Sequence, residues 1–122
     1  MAKKILVADD EENIVFLIKR RLIKSGYEVV EANNGVDAVA LAKQQRPDLI
    51  ILDVMMPQMD GLQVCQVLKS DPKYQAIKII LLTARDQQKD KDLGKEVGAD
   101  DYVTKPFEPD ELIKRVKDLV AQ

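Results

Sequence analysis

Leu49-Ile50-Ile51-Leu52-Asp53-Val54-Met55-Met56-Pro57 is the stretch from which the fold of this chain can be worked out. Its run of four aliphatic residues predicts a strand buried on both faces, followed by a turn that a proline closes. An unpaired ion inside a sheet would be costly, so we expect Asp53 at the carboxyl end of a central strand. In open parallel α/β sheets, ligands bind outside this edge.

On either side of this strand, apolar stretches alternate with helical periodicities. Strands are predicted near residues 4–8, 27–31, 49–53, 77–82 and 101–104, and a helix is predicted after each of them. The fourth helix, roughly residues 87–97, is the weakest, because it contains Gly94 and offers only Leu93 and Val97 to a core. The alternation predicts one α/β domain over residues 1–122, a doubly wound parallel sheet of five strands with five helices on its two faces.

Composition and charge narrow the function classes. The net charge of −2 gives no basic excess for nucleic acid or an anionic membrane, so we expect this chain to bind neither directly. The absence of a membrane-length apolar run and of a signal peptide, together with a single cysteine, favours the cytoplasm. The absence of histidine excludes Ser–His and Cys–His nucleophiles and His-ligated metals. A bound metal would therefore have oxygen ligands, as Mg²⁺, Mn²⁺ and Ca²⁺ do.

Chemically active side chains stand at the ends of four predicted strands. Asp9 and Asp10 follow the first, Asp53 ends the third, Thr83 ends the fourth and Lys105 follows the fifth. Parallel strands bring these ends to one edge, where three carboxylates would raise their own pKa values or recruit a cation. Mg²⁺ suits such a cluster. A carboxylate nucleophile with a metal, a hydroxyl and an ammonium group provides what phosphoryl transfer requires.

Each of these residues also has a structural explanation when it is taken alone. The acids at residues 9–12 favour the N-terminus of a helix, and a strand-end hydroxyl such as Thr83 commonly bonds to backbone. Lys105 could be a solvated cation, Tyr102 a β-forming residue, and Cys65 has the helical phase of a core residue. Their joint placement at the ends of four strands is what favours a functional site.

Four segments resemble the receiver domains of two-component response regulators, over essentially the full chain and with no expected position substituted. They are Val7-Ala8-Asp9-Asp10-Glu11, Leu52-Asp53-Val54-Met55-Met56-Pro57-Gln58-Met59-Asp60-Gly61, Leu82-Thr83-Ala84 and Gly98-Ala99-Asp100-Asp101-Tyr102-Val103-Thr104-Lys105-Pro106-Phe107. The resemblance implies a flavodoxin-like sheet with strand order 2-1-3-4-5.

The resemblance also implies roles for the site residues. Asp53 would accept a phosphoryl group from a phosphohistidine of a sensor histidine kinase or a phosphotransfer protein. Asp10 would bind Mg²⁺ directly and Asp9 mainly through water, and Mn²⁺ is a possible substitute. The remaining implied roles are a metal-binding backbone carbonyl at Met55, phosphoryl-oxygen contacts from Thr83 and Lys105, and a cis peptide bond between Lys105 and Pro106.

In receivers, a shift of the hydroxyl residue is coupled to an aromatic residue on the fifth strand, which here is Tyr102. This implies an output surface formed by the predicted fourth helix, the fifth strand and the last helix. The partner at this surface would be a downstream protein or a second receiver. The chain itself would be either a stand-alone receiver or a receiver excised from a longer regulator. That surface carries charges of both signs, at Lys91, Asp101, Glu111, Arg115 and Lys117. They predict either a solvated face or a two-fold interface that forms on phosphorylation.

Two further positions bear on the lifetime of a phosphoryl group and on competing functions. Met55 and Arg85 would flank the path of the hydrolysing water, which predicts slow self-dephosphorylation. Met55 also stands where a haloacid-dehalogenase-type phosphatase needs a second aspartate. The acids at residues 9–12 would repel the phosphate of FMN, and no P-loop motif is present. The chain is thus expected to catalyse only its own phosphorylation and dephosphorylation. The alternative is a pseudo-receiver that binds proteins without being phosphorylated.

Overall fold

The strand that contains Asp53 lies at the centre of the sheet. A computed structural model describes residues 2–84, 92–93 and 95–121. All neighbouring strands pair in parallel, in the order β2-β1-β3-β4-β5, which confirms the predicted sheet. The elements in chain order are β1 (Lys4–Ala8), α1 (Glu12–Lys24), β2 (Glu28–Ala32), α2 (Gly35–Gln45), β3 (Leu49–Asp53), α3 (Gly61–Lys69), β4 (Lys78–Ala84), β5 (Asp101–Lys105) and the C-terminal helix α4 (Pro109–Val120).

Four of the five predicted helices are present. Of the predicted fourth helix, residues 92–93 and 95–96 are helical, and residues 87–91 and 94 lie outside the described residues. The predicted fourth helix is therefore not confirmed. Among the helices that the structure describes, none is long and apolar enough to cross a membrane.

Alternation along the strands divides the core into two layers. Side chains such as Leu6, Ile50 and Leu81 face α2 and α3, whereas their neighbours in the chain face α1 and α4. All five residues of β3 are buried, because helices cover both faces of the sheet there. Cys65 lies in the core at the α3 side, as its helical phase predicted.

The loop between β3 and α3 is fixed by close backbone contacts. The Gly61 amide donates to the Val54 carbonyl at 2.9 Å, and the Met59 amide donates to the Pro57 carbonyl at 2.8 Å. A Cβ atom on Gly35, at the start of α2, would lie 1.8 Å from the Met59 carbonyl oxygen. Only glycine therefore allows α2 to approach this loop, and the approach holds in place the segment that follows Asp53.

Helix α3 begins directly after that loop and is capped by Asp60. Its Oδ1 accepts a hydrogen bond from the Gln63 amide at 2.8 Å, and the Gln63 Oε1 accepts one from the Asp60 amide at 3.0 Å. This reciprocal arrangement satisfies two donors at the helix start and stabilises it by about 1 kcal/mol. The loop that carries Met55 is consequently anchored at both ends.

Candidate functional site

Among the described residues, three polar side chains interrupt the otherwise apolar core, and all three lie at the carboxyl edge of the sheet. Asp9 and Thr83 are fully buried, and Asp53 is 5% exposed. They stand at the ends of neighbouring strands β1, β4 and β3, so parallel pairing alone brings them to one edge. Buried ions persist only where they are paired or bind a ligand, which makes this edge the candidate site.

Three carboxylates meet at this edge. One carboxylate oxygen from each of Asp9, Asp10 and Asp53 lies within 4.8 Å of the other two. Asp10 is exposed, whereas the other two are buried, so the cluster opens to solvent on one side. The Glu11 amide donates to Asp9 Oδ1 at 2.9 Å and fixes the orientation of that carboxylate. Hard oxygen donors that face open space are the ligands that Mg²⁺ takes in proteins.

Lys105, at the end of β5, supplies the positive charge of the site. Its Nζ lies 2.9 Å from Asp9 Oδ2 and 3.4 Å from Asp53 Oδ1. Burial opposes the charged ammonium, but the contact with Asp9 and the charge of Asp53 outweigh it and raise the pKa of Lys105. The ammonium group therefore stays charged at neutral pH. The peptide bond between Lys105 and Pro106 is cis.

The electrostatics of Asp53 favour a bound cation. Burial and then the charge of Asp9 raise the pKa of Asp53 to about 7, although Lys105 and the Met55 amide oppose the shift. The Met55 amide donates to Asp53 Oδ1 at 3.4 Å, which is a long bond. One ammonium thus does not fully offset the buried acids, and a divalent ion at this place would return Asp53 to its charged form.

In the part of the chain that the structure describes, two buried side-chain atoms at this edge have no hydrogen-bond partner: Asp9 Oδ2 and Thr83 Oγ1. The contact of Asp9 Oδ2 with Lys105 is an ion pair without hydrogen-bond geometry. Leaving such a group unsatisfied costs about 1–3 kcal/mol, so a native protein that keeps one commonly uses it for a ligand. A carboxylate oxygen that is held only by an ion pair suits a metal ion, and a hydroxyl without a partner suits an anionic oxygen. On these grounds the residues fit Mg²⁺.

The remaining predicted residues are placed around this centre. Tyr102 is partly buried and packs against the core layer under α2 and α3. Met55 is 71% exposed and borders the site through its amide. The metal-binding role of its carbonyl stays a prediction. Arg85 and Lys91 lie outside the described residues.

Three of the charges predicted for the interface, Asp101, Glu111 and Arg115, are paired within the chain. An Arg115 nitrogen lies 2.8 Å from both carboxylate oxygens of Asp101, and its second nitrogen lies 3.3 Å from Glu111 Oε1. Lys117 instead borders the groove between α1 and α4, with Arg21 and Lys24. The surface formed by β5 and α4, here called the β5–α4 surface, thus carries charges that are already paired. A partner that binds these charges would have to replace the internal pairs.

Sequence reasoning assigned no role in the site to Glu11. Its carboxylate makes no capping bond to α1, and its Oε1 lies 3.6 Å from Lys105 Nζ. Only its position directly after Asp9 and Asp10 pointed to the site, and in sequence that position equally suits a helix start. The contact between Glu11 and Lys105 depends on the reach of the Lys105 side chain, which comes from the far end of the chain.

An open parallel sheet with acids, a hydroxyl and an ammonium group at its carboxyl edge defines the class of protein, and comparison with known proteins agrees. The family described as "Response regulator receiver domain" matches residues 5–117, and the chain belongs to this family. Receivers of this family are signalling phosphoacceptors of two-component systems that bind Mg²⁺ at an acidic pocket.

Three relatives illustrate the similarity. The alkaline phosphatase synthesis transcriptional regulatory protein PhoP of Bacillus subtilis is 50% identical over all 122 residues, which span half of that protein. A response regulator from Chloroflexus aurantiacus is 35% identical, with a TM-score of 0.95 and full coverage of both chains. The receiver domain of a Pseudomonas aeruginosa sensor histidine kinase, solved with a magnesium ion in its active-site cleft, is 29% identical over both full chains, with a TM-score of 0.91.

Proposed function

We propose that residues 1–122 form one cytoplasmic receiver domain in which Asp53 accepts a phosphoryl group from a phosphohistidine. The donor would be a sensor histidine kinase or a phosphotransfer protein. The observation that carries the proposal is the buried Asp53 carboxylate, with an unpaired hydroxyl and an ammonium group at the same edge. The chain would catalyse only its own phosphorylation and dephosphorylation.

The acidic cluster would hold the metal. Asp9, Asp10 and Asp53 provide three oxygen donors within reach of one another, and the Met55 carbonyl would add a fourth. When bound, Mg²⁺ would neutralise negative charge on the phosphoryl oxygens, and Mn²⁺ would fit the same donors. The ion would also supply the positive charge that the buried acids need beyond that of Lys105.

The protein groups would then act by position and charge. An Asp53 oxygen would form the new bond to phosphorus while the phosphorus–nitrogen bond of the donor breaks, and the released histidine ring would take up a proton. Lys105, already 3.4 Å from Asp53 Oδ1, would pair with a phosphoryl oxygen. The Thr83 hydroxyl, which lacks a partner, would donate to another. Little further chemistry is required of the protein.

Incubation with Mg²⁺ and acetyl phosphate tests this function. We expect one covalent phosphoryl group per chain by intact-protein mass spectrometry and none in Asp53→Ala. The exposed acid Asp118 provides the matched control, so Asp118→Ala should be labelled like the wild type. Failure of the wild type to form an adduct with any divalent metal would contradict the proposal and favour a pseudo-receiver that only binds proteins.

Phosphorylation would be read out at the β5–α4 surface. A phosphoryl group would draw the Thr83 hydroxyl toward Asp53, and Tyr102 would turn into the space left behind. This side chain is only partly buried and already contacts the core, so either position is sterically reasonable. Charges of this surface that now pair within one chain, Asp101 and Arg115 among them, would then meet a second receiver or a downstream protein.

We expect beryllofluoride with Mg²⁺ to convert the monomer into a dimer in sedimentation velocity experiments. Tyr102→Ala should still bind the mimic, because it leaves the acids and Lys105 unchanged, but should self-associate at least about tenfold more weakly, a change of roughly 1.4 kcal/mol. A wild-type protein that stays monomeric at high concentration with the mimic bound would contradict the dimer. Full self-association of Tyr102→Ala would contradict the role of Tyr102.

Met55 would shield the phosphoryl group from water. Its exposed side chain lies beside the site on a fixed loop, so a smaller residue opens a path for the hydrolysing water. After removal of the donor, we expect the adduct of Met55→Ala to decay roughly threefold faster, a barrier change below about 1 kcal/mol. Arg85, the second predicted shield, lies outside the described residues. An unchanged half-life with both residues made smaller would contradict this prediction.

A further inference from the structure

A second partly buried ion pair lies where the strands begin, at the opposite ends of the strands from Asp53. Lys69, the last residue of α3, places its Nζ 2.9 Å from Asp100 Oδ2, with the two side chains 14% and 23% exposed. The same Nζ donates to the carbonyl oxygens of Gln75 at 3.1 Å and Ile77 at 2.7 Å. One ammonium thus ties together the end of α3, the segment before β4 and the residue before β5.

Asp100 in turn starts the pairing of β5 with β4. Its amide donates to the Ile79 carbonyl at 2.9 Å, and its Oδ2 accepts from the Ile79 amide at 2.8 Å. Both backbone groups of Ile79 are therefore satisfied by one residue. Because Lys69 holds the same Oδ2 atom, the position of this first rung depends on the ion pair.

Strand β5 needs such an anchor more than the inner strands do. It lies at the edge of the sheet, pairs only with β4 and has five residues. A slip of one residue along β4 would turn every side chain of β5 to the other face. In the observed register Lys105 stands opposite Ala84, and a slip would bring Thr104 or Pro106 to that place.

We propose that Lys69 and Asp100 set the register of β5 and so position Lys105 at the phosphoryl site. Lys69 is a positioning residue in this account, because it touches neither Asp53 nor the metal donors. Gly98 leaves room for the stem of Lys69, because a Cβ atom at that position would lie 3.3 Å from Lys69 Cγ. The inference rests on the proposed function for the role of Lys105, whereas the register itself can be measured independently.

The test compares Lys69→Met with Lys73→Met, which removes an exposed lysine nearby and keeps the same change of charge. Hydrogen exchange should become at least about tenfold faster at the amides of residues 101–105 in Lys69→Met, with little change in β1. Phosphorylation by acetyl phosphate at saturating Mg²⁺ should slow about tenfold, since Lys105 is displaced. Mg²⁺ affinity should not fall, because its donors follow β1 and end β3, and a displaced Lys105 would no longer compete for their charge.

Conservative variants separate positioning from folding. Lys69→Arg should restore the phosphorylation rate in part, since arginine can reach the same acceptors. Asp100→Asn should reproduce the effect of Lys69→Met while keeping an acceptor for the Ile79 amide. Equal acceleration of exchange in β1 and β5 would overturn the proposal, because the pair would then only add global stability. Faster exchange in β5 without slower phosphorylation would overturn the link to Lys105. A wild type that takes up no phosphoryl group would contradict the proposed function instead, and the exchange data would still decide the register.

Discussion

Asp53→Asn is expected to raise the free energy of unfolding of the metal-free protein by about 2–4 kcal/mol at pH 8. The folded protein holds the pKa of Asp53 at about 7, against an ordinary value of 3.8. Each unit of difference corresponds to about 1.4 kcal/mol. Asparagine keeps a similar shape and an oxygen acceptor for the Met55 amide, but it removes the charge that Asp9 repels.

The pH dependence follows from the direction of the shift. Between about pH 4 and pH 7 the folded protein binds more protons at Asp53 than the unfolded chain does, so stability falls as pH rises through this window. The contribution of Asp53 is fully present below pH 4 and fully lost above pH 7. The advantage of Asp53→Asn should therefore be small near pH 4 and reach its plateau near pH 8.

Urea denaturation in the presence of a chelator, at pH 4, 6 and 8, measures this effect. Asp118→Asn is the matched control, because it removes one exposed acid and should change stability little at any pH. Saturating Mg²⁺ should reduce the difference, since it binds the folded wild type in preference. The prediction would be contradicted if the difference in free energy of unfolding between Asp53→Asn and the wild type did not vary with pH, or if the variant were less stable at pH 8. The charged form of Asp53 would then not destabilise the folded protein.

Gly61→Ala is expected to destabilise the protein by about 3 kcal/mol, near the upper end for overpacking. A Cβ atom here would lie 2.3 Å from the carbonyl oxygen of Asp53 and 3.0 Å from Val54 Cα. Both obstacles are backbone, so the loop itself has to move, and the bond from the Gly61 amide to Val54 would be distorted. Because the movement displaces Asp53, phosphoryl uptake by the folded fraction should also slow.

Gly26→Ala separates close packing from backbone conformation. Gly26 has a φ of +94°, and no atom of the described residues beyond its two chain neighbours lies within 4 Å of its added Cβ position. Only the left-handed conformation is penalised there, by about 1–2 kcal/mol. Thermal unfolding of the two variants, with phosphorylation measured at a temperature where both are folded, makes the comparison. Equal losses of stability and unchanged uptake in Gly61→Ala would contradict the role assigned to Gly61.

The sheet and the centre of the site could be predicted from sequence, and the reason is geometric. Asp9, Asp53 and Lys105 are far apart in the chain, but each stands at the carboxyl end of a strand, and parallel strands end at the same edge. The uninterrupted apolar run before Asp53 placed that strand at the centre, where both faces are covered. Alternation of elements was therefore sufficient to predict which side chains meet.

Details that depend on tertiary approach could not be predicted. The contact of Glu11 with Lys105, the pair formed by Lys69 and Asp100, and the fit of Gly35 against Met59 each join distant segments with no shared motif. Side-chain reach and backbone distance decide such contacts, and neither leaves a periodic pattern. The free hydroxyl of Thr83 is similar: the sequence placed Thr83 at the site, but strand position alone does not decide whether its hydroxyl also bonds to backbone.

The most direct test of the account locates the phosphoryl group. Protein treated with acetyl phosphate and Mg²⁺ is reduced with borohydride, which converts an acyl phosphate into an alcohol, and the peptides are then mapped by mass spectrometry. We predict reduction at Asp53 alone, with Asp9, Asp10 and Asp60 unchanged. Reduction at any other carboxylate, or none in a protein that carries the adduct, would contradict the assignment of Asp53 as the phosphoacceptor.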